Sequence, residues 1–357
     1  MRKIIIQALK FLSFLAAGAL LLWLAFRNVD FRSLSNNLKE ANYYWLILSV
    51  FFGMVAFMSR ARRWQLLIHP LDYRPTFWHT FHAMMIGYMA NMALPRIGEV
   101  TRCVALGKKE NLAVDKLLGT VIIERTIDFF SILVLLVIIV FTSGSIINEF
   151  LKESIFIPFR DKVLSYVNLS WIFWLVIILA SVTGLYLLIR YRHNLRKIKF
   201  FAKIFDIARG IISGLKTIVS LERKWEFVLH TFIIWISYAL MTWVVVFSLE
   251  STSHITFWNS LIILVIGGLA MSVPVQSGFG AFHYAVSRAL VVIQGVSLED
   301  GLTFALLTHE SQIIFEIIVG VFSIYIMYGM KKTSNAQSIT DPPPPSEASP
   351  GAGLKGG

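Results

Sequence analysis

Apolar runs of about 20 residues, the length a helix needs to cross a bilayer, recur along this chain and leave it little choice of fold. They are Ile4 to Phe26, Asn42 to about Ser59, Val121 to Phe141, Trp171 to Ile189, Phe227 to Leu249 and Leu302 to Tyr328. In hydrocarbon every backbone N–H and C=O must be paired, so each run reads as a helix. Hydrophobic residues make up 56% of the 357, and mean hydropathy is +0.68; soluble proteins are roughly 45–50% apolar. The expected fold is an all-α polytopic integral membrane protein. The first run lacks a small-residue cleavage site, so it reads as a retained span and not a signal peptide.

Lys and Arg number 33 against 21 Asp and Glu, a net charge of +12. In a soluble domain this would suggest nucleic acid. Here the basic residues flank apolar runs, so the excess reports topology and contact with anionic lipid, and nucleic acid is set aside as a partner. Arg2, Lys3 and Lys10 place the N-terminus inside; Arg27 to Glu40 reads as an outside loop. Arg60, Arg62 and Arg63 read as a cytoplasmic exit, as do Arg102, Lys108, Lys109 and Lys116. The strongest block is Arg190 to Lys203, and Lys331-Lys332 put the last span's end inside. The expectation is a multi-pass protein of a bacterial cytoplasmic (inner) membrane with both termini cytoplasmic. Cys103 is the only cysteine, which excludes internal disulfides and any zinc framework of cysteines.

Two apolar segments are broken. Thr76 to Leu94 is stopped at Pro95 and followed by Arg96-Ile97-Gly98-Glu99 and Arg102. Thr256 to Val273 is interrupted by Pro274-Val275-Gln276-Ser277-Gly278-Phe279-Gly280 before Ala281 to Ile293 resumes. Proline removes a donor and disfavours helix in the residue before it. Counting parity from the basic blocks, each pair enters and leaves on one side, as a re-entrant hairpin. Span, broken hairpin, span thus occurs twice, at about 42–141 and 227–328, with hairpins inserted from opposite faces. Such inverted repeats place a transporter's site at the discontinuous helices. One domain is expected over 1–332, with an amphipathic cytoplasmic helix over about 200–221 and a disordered Pro/Gly/Ser tail over 333–357.

Ionisable groups in the apolar runs mark the candidate site, because charge in lipid is costly. Glu124, Arg125 and Asp128 open one span; Arg125 and Asp128 pair at helical spacing, and Arg96 or Arg102 supplies partners. A salt-bridge lock between span and hairpin accounts for the same residues. His309, Gln312 and Glu316 share a face of the last span, with Glu316 near its middle, suited to a polar pathway or a proton-linked role or, more simply, a helix-to-helix hydrogen bond. His79 and His82 share a face, but no carboxylate or cysteine at ligand spacing accompanies them, so no metal is expected. No nucleotide loop, nucleophile elbow or zinc-protease pattern occurs, and no cofactor is expected.

Residues 93–128, with Pro95-Arg96-Ile97-Gly98-Glu99, Arg102, Glu124-Arg125 and Asp128, resemble the membrane region of lysylphosphatidylglycerol synthases, a flippase-like family. Pro274 to Gly280 matches that family's second, glycine-rich signature in position. Ser277 stands where the family often has another glycine, and His283 where it often has an acid. The resemblance implies translocation of an anionic, aminoacylated or glycosylated phospholipid or a polyprenyl-phosphate lipid, with Gly278, Gly280 and His283 joining the substrate-binding set. It also implies a separate lipid-synthesising enzyme, since the family's soluble aminoacyltransferase domain is absent. Arg96, Arg102 and Arg125 are suited to hold a phosphate; Glu99, Glu124 and Asp128 to orient the arginines or meet a cationic head group. A membrane-embedded transferase with Glu99 or Glu124 as general base is the alternative, followed by a secondary transporter of a soluble anion. A homo-oligomer is left open.

Overall fold

The computed structural model describes residues 2–142 and 221–329. The expected span Trp171 to Ile189, the basic block, the amphipathic helix over about 200–221 and the tail lie outside the described residues. Ten α-helices occur among those described: α1 (Arg2–Phe26), α2 (Phe31–Glu40), α3 (Tyr44–Ile68), α4 (Phe77–Ala93), α5 (Gly98–Glu110), α6 (Val114–Thr142), α7 (Lys224–Val245), α8 (Phe257–Ala270), α9 (Ala281–Gln294) and α10 (Leu298–Ile324). Three helical stretches, Tyr44–Leu71, Lys224–Ser248 and Leu298–Gly329, are long and apolar enough to cross a membrane, and α1 joined to α2 gives another across an 88° bend. The chain is an all-α multi-pass membrane protein.

The structure differs from the sequence expectation in two places. Arg27 to Glu40 is mostly helix, not loop: Asp30 caps α2 by accepting from the Arg32 N–H at 3.0 Å, and Phe31 stacks back on Phe26. The second span does not stop at Ser59. Helix α3 continues to Ile68, and Arg60 and Arg63 are buried within it while Arg62, on another side, is half-buried. The two arginines therefore face a buried site within the helix and do not flank its end.

Each broken segment forms a helical pair. The cap is the same at both: the Thr76 hydroxyl accepts from the His79 N–H, and the Thr256 hydroxyl from the Asn259 N–H, each at 3.3 Å. A short identity marks these caps, Thr76-Phe77-Trp78 and Thr256-Phe257-Trp258. The α4–α5 pair is closed by glycine: a Cβ on Gly87 would lie 2.7 Å from the Gly98 carbonyl. The α8–α9 pair is joined by a longer irregular turn, with Ser277, Gly278 and Gly280 all at positive φ.

The long helices frame these pairs. Helices α3 and α7 pack antiparallel: the Asn42 N–H donates to Ser248 O at 2.8 Å, the Ser49 hydroxyl to Met241 O at 3.0 Å, and Arg62 pairs with Glu226 at 2.6 Å. Helix α6 runs against α3, Trp64 Nε1 donating to Thr120 Oγ1 at 2.9 Å. Helix α10 runs with α3, Phe57 stacking on Phe315 at 6.0 Å, so α6 and α10 are themselves opposed. Each long helix that ends one set packs on the hairpin of the other, α10 against α4 and α6 against α8. The two hairpin turns meet: Arg96 Nη2 donates to Ser272 O at 3.0 Å.

Candidate functional site

Behind the first hairpin, helices α3, α5 and α6 converge four guanidinium groups on two carboxylates. Arg60 Nη2 is 2.8 Å from Glu124 Oε1 and 2.7 Å from Asp128 Oδ2. Arg63 Nη2 is 2.5 Å from Asp128 Oδ1, Arg102 Nη2 is 2.9 Å from Glu124 Oε2, and Arg125 Nη2 is 2.9 Å from Glu124 Oε1. Arg125 reaches Asp128 at 3.5 Å. Four positive charges against two negative leave an excess of two, or of one when Glu316, which feels Arg60 from α10, is ionised.

The surroundings hold these groups in place. Arg102 lies over the Trp64 ring at 4.6 Å, and Arg60 Nη1 donates to the Tyr238 hydroxyl at 3.0 Å. Glu124 and the Arg63 side chain are fully buried, whereas 41% of the Arg125 side chain is exposed. The cluster is therefore open on the Arg125 side. Its donors are not saturated: the Nε atoms of all four arginines and the Tyr88 hydroxyl are buried without hydrogen-bond partners. Unpaired buried donors of this kind are costly, and an anion with several acceptor oxygens would relieve them.

The sequence-expected residues thus separate into groups. Arg102, Glu124, Arg125 and Asp128 meet in this cluster. Arg96 and Glu99 stand apart from it: Arg96 is exposed at the hairpin turn, and Glu99 has a buried carboxylate oxygen with no partner. Gln312 donates to the Ser49 hydroxyl at 3.4 Å and abuts Gly53. His309 joins His283 at the second hairpin, where the Gly278 backbone packs on Met271 and Gly280 on Gly18 of α1. Gly280 has φ +81, and a Cβ there would lie 2.6 Å from Gly18 O, so only glycine fits.

Sequence reasoning missed Arg60, Arg63 and Glu310. Arg60, Arg63 and Trp64 follow Ala56 and Phe57 at helical spacing, a stripe that separates them from Arg62 and places them inward. Glu310 Oε1 lies 3.1 Å from His309 Nδ1 and 3.2 Å from His283 Nε2. Adjacent positions on a helix diverge by about 100°, so a search at spacings of three and four passes over it.

At the base of the first hairpin, Glu110 accepts from the Thr76 N–H at 3.0 Å and meets His79 Nδ1 at 2.5 Å. Burial pushes the Glu110 carboxyl up, but the Thr76 and His79 hydrogen bonds outweigh it and hold it below the usual carboxylate range. His82 bonds instead to the Ser323 hydroxyl at 2.9 Å.

Residues 9–320 match the model of the lysylphosphatidylglycerol synthase transmembrane region. The chain belongs to that family. It is also 25% identical over 264 residues to a UPF0104 membrane protein of Methanocaldococcus jannaschii, an alignment covering 68% of this chain and 73% of the relative. No solved structure matches the chain significantly.

Proposed function

We propose that this protein carries an anionic lipid between membrane leaflets, as a carrier and not as a transferase. The lipid is a phospholipid, bare or bearing an aminoacyl or sugar group, or a polyprenyl phosphate. The observation that carries this reading is the buried cluster with more guanidinium than carboxylate charge, unsatisfied donors and an open side at Arg125. Arginine offers several N–H donors in a planar fork that suits phosphate. Membership of a family named for a lipid synthase's membrane region agrees with a lipid cargo.

In this reading the sets α3–α6 and α7–α10 are inverted copies with re-entrant hairpins. The opposed α3 and α7, the repeated Thr-Phe-Trp caps and the reciprocal packing of α10 on α4 and α6 on α8 support it. Trp78 and Trp258 are both more than half exposed at the hairpin bases, suited to anchor at opposite interfaces. The protein would sit in a bacterial cytoplasmic membrane, termini inside, receiving its lipid from a separate enzyme.

The test is transbilayer movement of fluorescent anionic and zwitterionic lipids in proteoliposomes. Wild type should move the anionic probe, and Arg102→Ala and Arg125→Ala should each slow it at least about tenfold, the loss of one charge-assisted bond. Arg125, being the most exposed of the four, is the variant least exposed to a folding defect. Wild-type rates in both variants would refute the assignment. Conversion of the probe to a new species would establish the transferase instead.

A further inference from the structure

The cluster of His283, His309 and Glu310 beside the second hairpin's turn has a hydrogen-bond arrangement that requires one positive species. His309 Nε2 lies 3.0 Å from Ser277 O, a main-chain carbonyl that only accepts, so this nitrogen carries a hydrogen. The other ring nitrogen, Nδ1, lies 3.1 Å from Glu310 Oε1. With a single ring proton His309 serves one of these acceptors and leaves a lone pair against the other. One cation must therefore sit between His309 Nδ1 and Glu310, either a proton or a metal ion.

His283 decides between them. The three side chains bring ligand atoms within 4.8 Å of one another, a geometry a metal could use. A metal on His283 Nε2 would require a hydrogen on Nδ1, yet Nδ1 accepts the Gly280 N–H at 3.4 Å. The His283 hydrogen therefore belongs on Nε2, 3.2 Å from Glu310 Oε1 though not aligned for a hydrogen bond, where its positive end favours a carboxylate and obstructs a metal. The titratable groups acting on His283 are Glu310 and His309, and Glu310, 32% exposed, is the member of the trio that reaches the surface.

We propose that His309 and Glu310 form a proton-binding site whose occupancy locks the second hairpin to α10, making the lipid movement proton-linked. Loading puts one proton between Nδ1 and Oε1, and both the Glu310 and Ser277 contacts hold. Release of that proton to water leaves neutral His309 with one N–H for two acceptors; the remaining hydrogen stays on Nδ1 against the charged Glu310 carboxylate, the stronger acceptor, so the contact to Ser277 O is the one that breaks. Because Ser277 O lies in the turn between α8 and α9, the break frees the turn that meets Arg96 of the first hairpin. The transport role rests on the carrier reading; the proton site does not.

Hydrogen-exchange mass spectrometry of the peptide spanning 271–283, on the purified full chain, tests the site without any lipid movement. Corrected for intrinsic exchange, protection in wild type should fall about tenfold between about pH 5.5 and 8.5, the loss of one charge-assisted hydrogen bond. In Glu310→Gln it should not change over that range. Equal protection at both pH values in wild type, or an equal fall in Glu310→Gln, would overturn the proposal. So would protection restored at high pH by zinc and removed by a chelator, which would identify a metal centre. Proteoliposomes that move no lipid leave a positive exchange result standing, and flat exchange leaves the carrier reading standing.

Discussion

The two hairpins share a cap, a proline break, an apolar core and a place between long helices, yet their polar ties differ. The first adds charge to an apolar core of Ala83, Ile86, Cys103 and Leu106: its return limb sends Arg102 into a net of ion pairs, and its limbs touch at Gly87 and Gly98. The second has an apolar core of Ala270, Val275 and Ala281, with an imidazole–carboxylate trio among its polar ties. Ion pairs among buried arginines hold at any physiological pH, because arginine does not deprotonate there. Imidazole titrates in that range. One scaffold thus supplies a permanently charged grip and a tie that a proton makes or breaks.

The largest difference between the halves should appear when one carboxylate is neutralised in each. Glu124 is shared by Arg60, Arg102 and Arg125 and is fully buried. Glu124→Gln leaves four guanidinium groups with Asp128 alone, and removing one partner of a buried ion pair costs about 3–5 kcal/mol. The expected result is a large drop of the thermal midpoint in detergent, or no folded protein. Glu310→Gln, whose side chain is partly exposed, should stay within about 1 kcal/mol of wild type. Comparable losses from the two substitutions would mean that the second trio is as structural as the first cluster.

The limbs come next. A Cβ on Gly98 would lie 2.7 Å from Asn91 Cγ and closer still to the Gly87 carbonyl. Backbone cannot give way without prying α4 from α5, so Gly98→Ala should cost about 1–3 kcal/mol, the range for overpacking. In the second hairpin, a Cβ on Gly268 meets only Ile132 Cδ1 at 3.7 Å, an ordinary contact. Gly268→Ala should be neutral or stabilise by about 0.5–1 kcal/mol, the usual advantage of alanine in a helix. Chemical or thermal unfolding of the paired variants checks both signs, and equal effects would show that the hairpins are closed in the same way.

Much of this contrast was legible in the sequence, and the illegible part has definite causes. The apolar runs and the breaks at Pro95 and Pro274 were readable because length in lipid and the chemistry of proline leave few options. Glu124, Arg125 and Asp128 stood out as charges in an apolar run. Arg60 and Arg63 did not, because arginines after an apolar run ordinarily mark its exit into water; only their common stripe with Phe57 and Trp64 tells otherwise. Arg96 looked equivalent to Arg102 in sequence, but the turn at Pro95 carries it to the second hairpin's carbonyl at Ser272. The Thr-Phe-Trp identity was present in the sequence and is too short to notice until the two caps are seen to coincide.

The smallest effect concerns the two turns themselves, each of which holds a non-glycine residue at positive φ, Arg96 at 63° and Ser277 at 44°. For an L-residue the left-handed region costs about 1–2 kcal/mol, and a glycine there recovers it less the roughly 0.5–1 kcal/mol of extra freedom it has when unfolded. Ser277→Gly should therefore raise stability by several tenths of a kcal/mol, and it keeps the His309 contact because the acceptor is main chain. Arg96→Gly gains the same relief but loses the bond to Ser272 O, worth about 0.5–1.5 kcal/mol, so its net effect is zero or slightly destabilising. Thermal midpoints of the two variants, compared under identical detergent conditions, distinguish these outcomes. Equal stabilisation would show that the Arg96 bond contributes nothing to holding the turns together, and the contact between the hairpins would then rest on packing alone.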